Sequence, residues 1–322
     1  MKQSIFLSVL LSFSTFFMPE LQAMADKAAV ADKGIETEKI KYSWDDQEFH
    51  GYLAKPKKIK NHTPAILIVH EWWGHNEYAQ KRARMLAEEG YIALAIDMYG
   101  DGARADHPSE AGKMASKVSG NIDLMKKRFT AGMKILSSQA MVDREKIAAL
   151  GYCFGGGVVL QMARERLPLT AVISYHGSLA TNSPVNNKED MPNILVFHGS
   201  DDSLISKEDL ENFKQEMNAA QANYKVVEFS GAKHAFTNPE ATKLGEKFSL
   251  PLAYDEEADQ RSWQESLAFL KDVFTQAKQK TVKAKVVKKN NKEENQGKNE
   301  DKQETPEEEK KEVESTSDKP QE

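Results

Sequence analysis

Residues 146–157 read KIAALGYCFGGG, a short apolar run that ends on glycine, tyrosine, cysteine and a cluster of glycines. The run 146–151 is expected to be a strand, and 155–166 a helix. Between them lies Gly151-Tyr152-Cys153-Phe154-Gly155, a G-x-C-x-G pattern: a nucleophile elbow with cysteine in the usual place of serine. The glycines have a physical reason. A strand that turns this sharply into a helix leaves no room for side chains two residues either side of the central one. The turn raises the Cys153 sulfur to the top of a sheet. It also aims the first helical N–H groups, beginning with that of Phe154, at the place where an oxyanion would develop. The positive end of the helix favours a thiolate. The plainer alternative is a core cysteine in front of a glycine-rich helix start.

Working outward, strands and helices alternate. Residues 40–44 and 49–53 form two strands around an Asp45-Asp46 turn. Residues 65–70 (AILIVH) are a continuous apolar run, as in a strand buried on both faces. Residues 78–89 are helical up to Gly90, and 91–97 form another buried strand. A broad helix is expected over 109–136, after an irregular entry through 100–108. Short strands follow at 171–175, 194–198 and 225–229, with a helix at 207–222. An amphipathic helix over 262–277 closes the region, with Trp263, Leu267, Leu270 and Phe274 at helical spacing. Alternation of this kind implies crossover connections, hence an α/β fold with a mostly parallel central sheet and helices on both faces. Ligands of such sheets sit beyond the carboxyl ends of the strands.

The chemistry-bearing residues follow strand ends. After 194–197 comes HGSDDSLI (198–205), which offers Asp201 and Asp202. Asp202 is taken as the acid and Asp201 as the turn residue, with loop solvation or helix capping as the alternative for both. After 225–229 comes SGAKHAF (230–236), which places His234 on a loop. The order Cys153, Asp202, His234 is nucleophile, acid, base, the order of the α/β-hydrolase architecture. After 65–70 comes Glu71-Trp72-Trp73-Gly74-His75. His70 and His75 are five apart beside a glycine, whereas a zinc-binding H-E-x-x-H needs histidines four apart on a helix; no metal is expected. Trp72 instead offers its N–H as the second oxyanion donor. Glu71 points into the site, in reach of the Cys153 thiol. Trp72, Trp73, Tyr152 and Phe154 either line an aromatic pocket or belong to the core. His176, after 171–175, either lines the pocket or is structural.

The set VHEWWG, GYCFGGG, HGSDDSL and GAKHAFTNP resembles the dienelactone hydrolase (carboxymethylenebutenolidase) family of α/β-hydrolases, over roughly residues 36–278. The resemblance implies a Cys-Asp-His triad on Cys153, Asp202 and His234, and no cofactor. It implies that Glu71 holds the resting thiol and releases it when substrate arrives. It implies a small-molecule substrate, an activated ester or lactone. This sequence departs from the family where arginines bind a substrate carboxylate. After Asp97-Met98-Tyr99 it has Gly100-Asp101-Gly102, with Arg104 close by as a substitute, and past His234 it has Asn238.

The two ends differ from the middle. Residues 1–25 join Lys2, an apolar stretch over 5–18 and Ala23-Met24-Ala25, the pattern of a cleaved export signal, with cleavage after Ala23 or Ala25. The protein is expected to be exported, to a periplasm-like compartment, with 26–35 as a linker and no membrane span after cleavage. Residues 279–322 lack any aromatic residue and mix Lys, Glu, Asn, Gln and Ser. They read as a solvated, disordered charged tail, or as an electrostatic contact for an unspecified envelope partner. The single cysteine among 322 residues excludes an internal disulfide, and a net charge of −5 gives no footprint for nucleic acid. Two rival functions remain: a binding protein that keeps the triad geometry without turnover, and a thiol-redox sensor built on Cys153.

Overall fold

The structure, a computed structural model, describes residues 34–59, 61–185 and 191–300. The expected export signal, nearly all of the 26–35 linker and residues 301–322 lie outside them. The chain divides into two compact units, Met1–Thr275 and Gln276–Glu322, and the first carries the sheet and the candidate site.

β1 (Ile35–Trp44) and β2 (Gln47–Pro56) form an antiparallel hairpin. Its turn is made by Asp45, whose φ of 50° lies in the left-handed region that Asp tolerates. There follow β3 (Thr63–Val69), α1 (Glu77–Glu88), β4 (Ile92–Ile96), α2 (Pro108–Ser119), α3 (Ile122–Ser138), β5 (Val142–Tyr152) and α4 (Phe154–Arg164). After these come β6 (Ala171–Tyr175), β7 (Asn193–Gly199), α5 (Lys207–Ala219), β8 (Tyr224–Phe229), α6 (Ala241–Phe248) and α7 (Glu256–Glu300). The eight strands make one sheet in the order β1-β2-β4-β3-β5-β6-β7-β8. It is parallel from β4 to β8, and β2 meets β4 antiparallel.

Strand periodicity explains why both faces are covered. Ala65, Leu67 and Val69 of β3 face one core with Ile147 and Ala149 of β5, while Ile66 and Ile68 face the other with Ala148 and Leu150. The first core is closed by Met125, Phe129 and Leu136 of α3, Val158 and Met162 of α4, and Leu210 and Phe213 of α5. The second is closed by Ala79, Ala83 and Leu86 of α1 and by Trp263, Leu270 and Phe274 of α7.

Three elements differ from the sequence reading. The single helix expected over 109–136 is two, because Gly120 ends α2 and the Asn121 side chain caps α3 by accepting from Leu124 N–H at 2.9 Å. Helix α6 was not expected. α7 starts at Glu256 and continues to Glu300, into the stretch read as a tail. Residues 279–300 have no proline and are rich in Lys, which holds helix well. No helix among the described residues is long and apolar enough to cross a membrane.

Chain order reverses at β3. The chain passes from β3 to β4 on one side, then returns to β5 on the other. Val69 and Gly151, near the carboxyl ends of β3 and β5, are register partners. The loops leaving these two strands therefore flank a single crevice, the usual ligand position in such sheets.

Candidate active site

Cys153 joins β5 to α4 with φ 54° and ψ −116°, a conformation that few non-glycine residues adopt. Its neighbours permit it. A Cβ at Gly151 would overlap the Gly155 carbonyl, one at Gly155 would overlap the Val69 carbonyl, and one at Gly156 would meet Ser174 Oγ at 2.6 Å. Each obstacle at Gly151 and Gly155 is backbone and cannot swing aside. Gly151→Ala is therefore expected to cost ~3 kcal/mol or more and to abolish turnover. Thermal unfolding measured beside ester hydrolysis checks this; a variant that melts with the wild type would show that the elbow has room.

The Cys153 N–H donates to the Tyr175 carbonyl at 3.0 Å and to His176 Nδ1 at 3.2 Å. The sulfur lies 3.0 Å from His234 Nε2, and His234 Nδ1 lies 2.8 Å from Asp202 Oδ2. Asp202 is held in turn: its Oδ1 accepts from Leu204 N–H at 2.9 Å. The loops that carry the acid and the base are interlocked. Asp201 N–H donates to the Ala232 carbonyl at 3.0 Å, and Gly231 N–H donates to Ser200 Oγ at 2.8 Å. Asp201 is exposed and accepts from Ser200 Oγ, a turn role. Burial opposes a charge on His234, but the Cys153 sulfur and the hydrogen bond to Asp202 outweigh it and lift the imidazole to about 10.

Glu71 and Trp72 sit on the loop after β3. His70 is buried and fixes that loop: its Nδ1 bonds the Glu71 carbonyl at 2.6 Å, and its Nε2 accepts from Met98 N–H at 3.1 Å. Gly74 (φ 91°) forms an isolated bridge with Arg104, where a Cβ would overlap the Ala103 carbonyl. Tyr99 Oη donates to the Trp72 carbonyl at 2.9 Å. Among the described residues, no acceptor pairs with the backbone N–H of Trp72 or of Phe154. Two donors beside the nucleophile thus remain open.

Glu71 differs from the sequence reading. Its Oε2 accepts from Asn238 Nδ2 at 2.6 Å, and the Cys153 sulfur is turned to His234. Burial raises the Glu71 carboxyl to about 7, against the opposing pull of the Asn238 hydrogen bond.

A cleft of about 320 Å³ opens over these groups, lined by Glu71, Trp72, Trp73, Cys153, Leu204, His234, Ala235 and Leu252. Trp73 is thus both a wall of the cleft and a packed side chain, buried against Ala105 and Ala111. Three candidate substrate-binding residues lie elsewhere. Tyr152 is fully buried, stacked on Tyr175 with ring centroids 4.5 Å apart; being last in β5, it points into the core below the elbow. His176 is also fully buried, and burial holds its imidazole well below the ordinary value. Its Nδ1 therefore accepts from Cys153 N–H, and its Nε2–H donates to Thr237 Oγ1 at 2.8 Å. Arg104 bridges to Gly74 through its backbone, is exposed and does not line the cleft. Phe154 offers its N–H to the site, while its ring packs on His70 and Tyr99.

Sequence reasoning missed the layer beneath. Arg82 of α1 is buried and donates to the Thr237 carbonyl at 2.7 Å, to Asp259 Oδ1 of α7 at 2.5 Å and to Tyr78 Oη at 3.3 Å. Its guanidinium lies over the rings of Tyr78, Tyr152 and Trp263. Leu252 was missed as well. The chain after α6 runs beside the His234 loop, bridging His234 to Leu252 and donating Ala253 N–H to the His234 carbonyl. Among the described residues, no group of three His, Cys, Asp or Glu side chains converges as a metal site would require.

Comparison with known proteins bears on the fold and the family. The model of the dienelactone hydrolase family matches residues 49–274. The uncharacterized protein K02A2.1 of Caenorhabditis elegans is 35% identical over 153 residues, 47% of this chain and 94% of that one. The crystal structure of P91, a dienelactone hydrolase-like promiscuous phosphotriesterase from metagenomic libraries, is 29% identical with a TM-score of 0.68. It covers 74% of this chain and 99% of its own. A structure titled m3DLH is also 29% identical, with a TM-score of 0.71 and the same coverage. With an elbow at a topological switch point, a hydrolase-type sheet and a family match that spans both, the chain belongs to the dienelactone hydrolase family, hydrolases that act on ester and lactone bonds.

Proposed function

We propose that the chain is an exported hydrolase that cleaves an activated carboxylic ester or lactone through Cys153, His234 and Asp202, by way of a thioester. The observation that carries this reading is His234, poised between the Cys153 sulfur at 3.0 Å and Asp202 at 2.8 Å. Asp202 orients the ring, and the raised imidazole favours a thiolate–imidazolium pair. The thiolate attacks the carbonyl carbon, and the N–H groups of Trp72 and Phe154 take the oxyanion. His234 gives its proton to the departing alkoxide. It then draws a proton from water, whose oxygen attacks the thioester; the acid leaves and the thiol is restored. The thioester must itself be hydrolysed, which favours substrates with good leaving groups over peptides. Export to a periplasm-like compartment is supported by residues 1–25 alone.

Mass spectrometry of the protein quenched during turnover of p-nitrophenyl acetate tests the scheme. An acetyl group on Cys153, and inactivation by iodoacetamide, are expected; full turnover by the alkylated protein would sink it. The ion pair also predicts a pH effect. The stability that His234 contributes is fully present below its ordinary value near 6.5 and is lost as pH rises through about 10. The melting-temperature gap between wild type and His234→Gln should therefore narrow between pH 6 and pH 10. A constant gap would argue against a charged His234.

A further inference from the structure

We infer that the cleft selects acyl groups without a negative charge, and that Glu71, fixed by Asn238, sets this selectivity. The inference rests on the thiol-hydrolase reading above and adds a substrate class to it.

The walls contributed by Trp72, Trp73, Leu204, Ala235 and Leu252 are apolar. The ionisable groups of the lining are Glu71, Cys153 and His234. The last two share one proton, so as a pair they carry no net charge in either arrangement, thiol with imidazole or thiolate with imidazolium. Glu71 is left as the carboxylate that faces the cleft. Arg82 draws its carboxyl down, but no cation of the lining is free for a ligand. Arg82 spends its donors on Thr237, Asp259 and Tyr78, and Arg104 is exposed outside the lining. A substrate carboxylate would therefore leave water for an apolar cleft, find no cation there, and face a second carboxylate.

Asn238 keeps Glu71 in place. Its Oδ1 accepts from Glu240 N–H at 3.0 Å, its own N–H donates to the Ala235 carbonyl at 2.9 Å, and its carbonyl accepts from Ala241 N–H at 2.8 Å. With the asparagine locked on every side, Nδ2 stays on Glu71 Oε2. The carboxyl, which burial lifts to about 7, is ionised at pH 8.

The test compares p-nitrophenyl hexanoate with mono-p-nitrophenyl adipate at pH 8, using the whole chain and subtracting uncatalysed hydrolysis. The two acyl chains are nearly isosteric and differ by one carboxylate. In wild type, kcat/KM for the adipate ester is expected to be ~10-fold or more below that for the hexanoate ester. Glu71→Gln should raise the adipate-to-hexanoate ratio ~10-fold, whatever it does to each value alone. Leu204→Lys, at an exposed lining position that folding tolerates, should raise the same ratio by supplying a cation. A wild-type ratio within about threefold of one would overturn the selectivity. A low ratio that Glu71→Gln leaves unmoved while Leu204→Lys raises it would overturn the assignment to Glu71. If neither ester is turned over faster by wild type than by Cys153→Ala, the thiol-hydrolase reading fails and the selectivity falls with it.

Discussion

Cys153→Ala is expected to lower kcat/KM for p-nitrophenyl acetate by ~10³-fold or more while leaving the fold intact. The loss follows from chemistry: the variant keeps the cleft, the open N–H donors and the Asp202–His234 pair, but has no atom to accept the acyl group. The fold survives because Cys153 is only half-buried and, among the described residues, its sulfur bonds only His234. The backbone bonds from Cys153 N–H to Tyr175 and His176 do not depend on the side chain. Cys153→Ser should fall between the two, since a hydroxyl gives up its proton less readily than a thiol. Steady-state hydrolysis beside circular dichroism settles the matter. Alanine turnover within about threefold of wild type would mean that water, not the thiol, is the nucleophile, or that the thiol serves a binding or redox role.

Arg82→Met should destabilise the protein by ~3–5 kcal/mol and also slow turnover. Arg82 is one of the most enclosed cations of the described chain, and its side chain joins α1, the Thr237 loop and α7. Methionine fills the volume but leaves the Asp259 carboxylate, the Thr237 carbonyl and the Tyr78 hydroxyl without this donor. Burial already pushes the Asp259 carboxyl up against the pull of Arg82, so the lone carboxylate would be protonated or would drag in water. Turnover suffers because Thr237 also bonds His176, and His176 bonds the Cys153 N–H. Urea unfolding of Arg82→Met, Asp259→Asn and the double variant measures the pair. The double variant should recover part of the loss, as a coupled pair does. A single-variant loss under about 1 kcal/mol would show that these acceptors find other donors.

The parts of the site written in local sequence were legible. The elbow is a steric requirement within five residues, and each of Cys153, Asp202 and His234 lies within five residues past the end of a strand. What depends on side-chain direction at a strand end was harder. Tyr152 closes β5 and His176 follows β6, yet both are buried beneath the elbow: strand alternation turns Tyr152 into the core, and the left-handed turn at His176 (φ 41°) with its bond to Cys153 N–H holds that ring under the Cys153 backbone. What depends on distant contacts was not legible at all. The Asn238–Glu71 bond spans 167 positions and the Arg82–Asp259 pair 177, and nothing local marks either pairing, although Glu71 and Asn238 each stand out singly. The break at Gly120-Asn121 is mild in propensity and shows only as a cap. Helix α6 does carry apolar residues at helical spacing, Ala241, Leu244 and Phe248, but it is only eight residues long, and its course is set by the Leu250–Leu252 return beside His234.

The glycines packed against backbone at the elbow have a consequence for how this enzyme can change. Gly151 and Gly155 meet main-chain atoms, so no compensating side-chain change elsewhere can make room for a larger residue. Across the cleft, Leu204 is 57% exposed on a loop, and Leu244, Phe248 and Leu250 are only partly covered. Variation is thus closed on the floor and open at the rim. A mutant library confined to the rim would sample new specificities at little risk to folding, whereas one spread evenly over the cleft would be mostly dead. Lineages of this scaffold should therefore diversify from the mouth inward, with the nucleophile's surroundings the last to change.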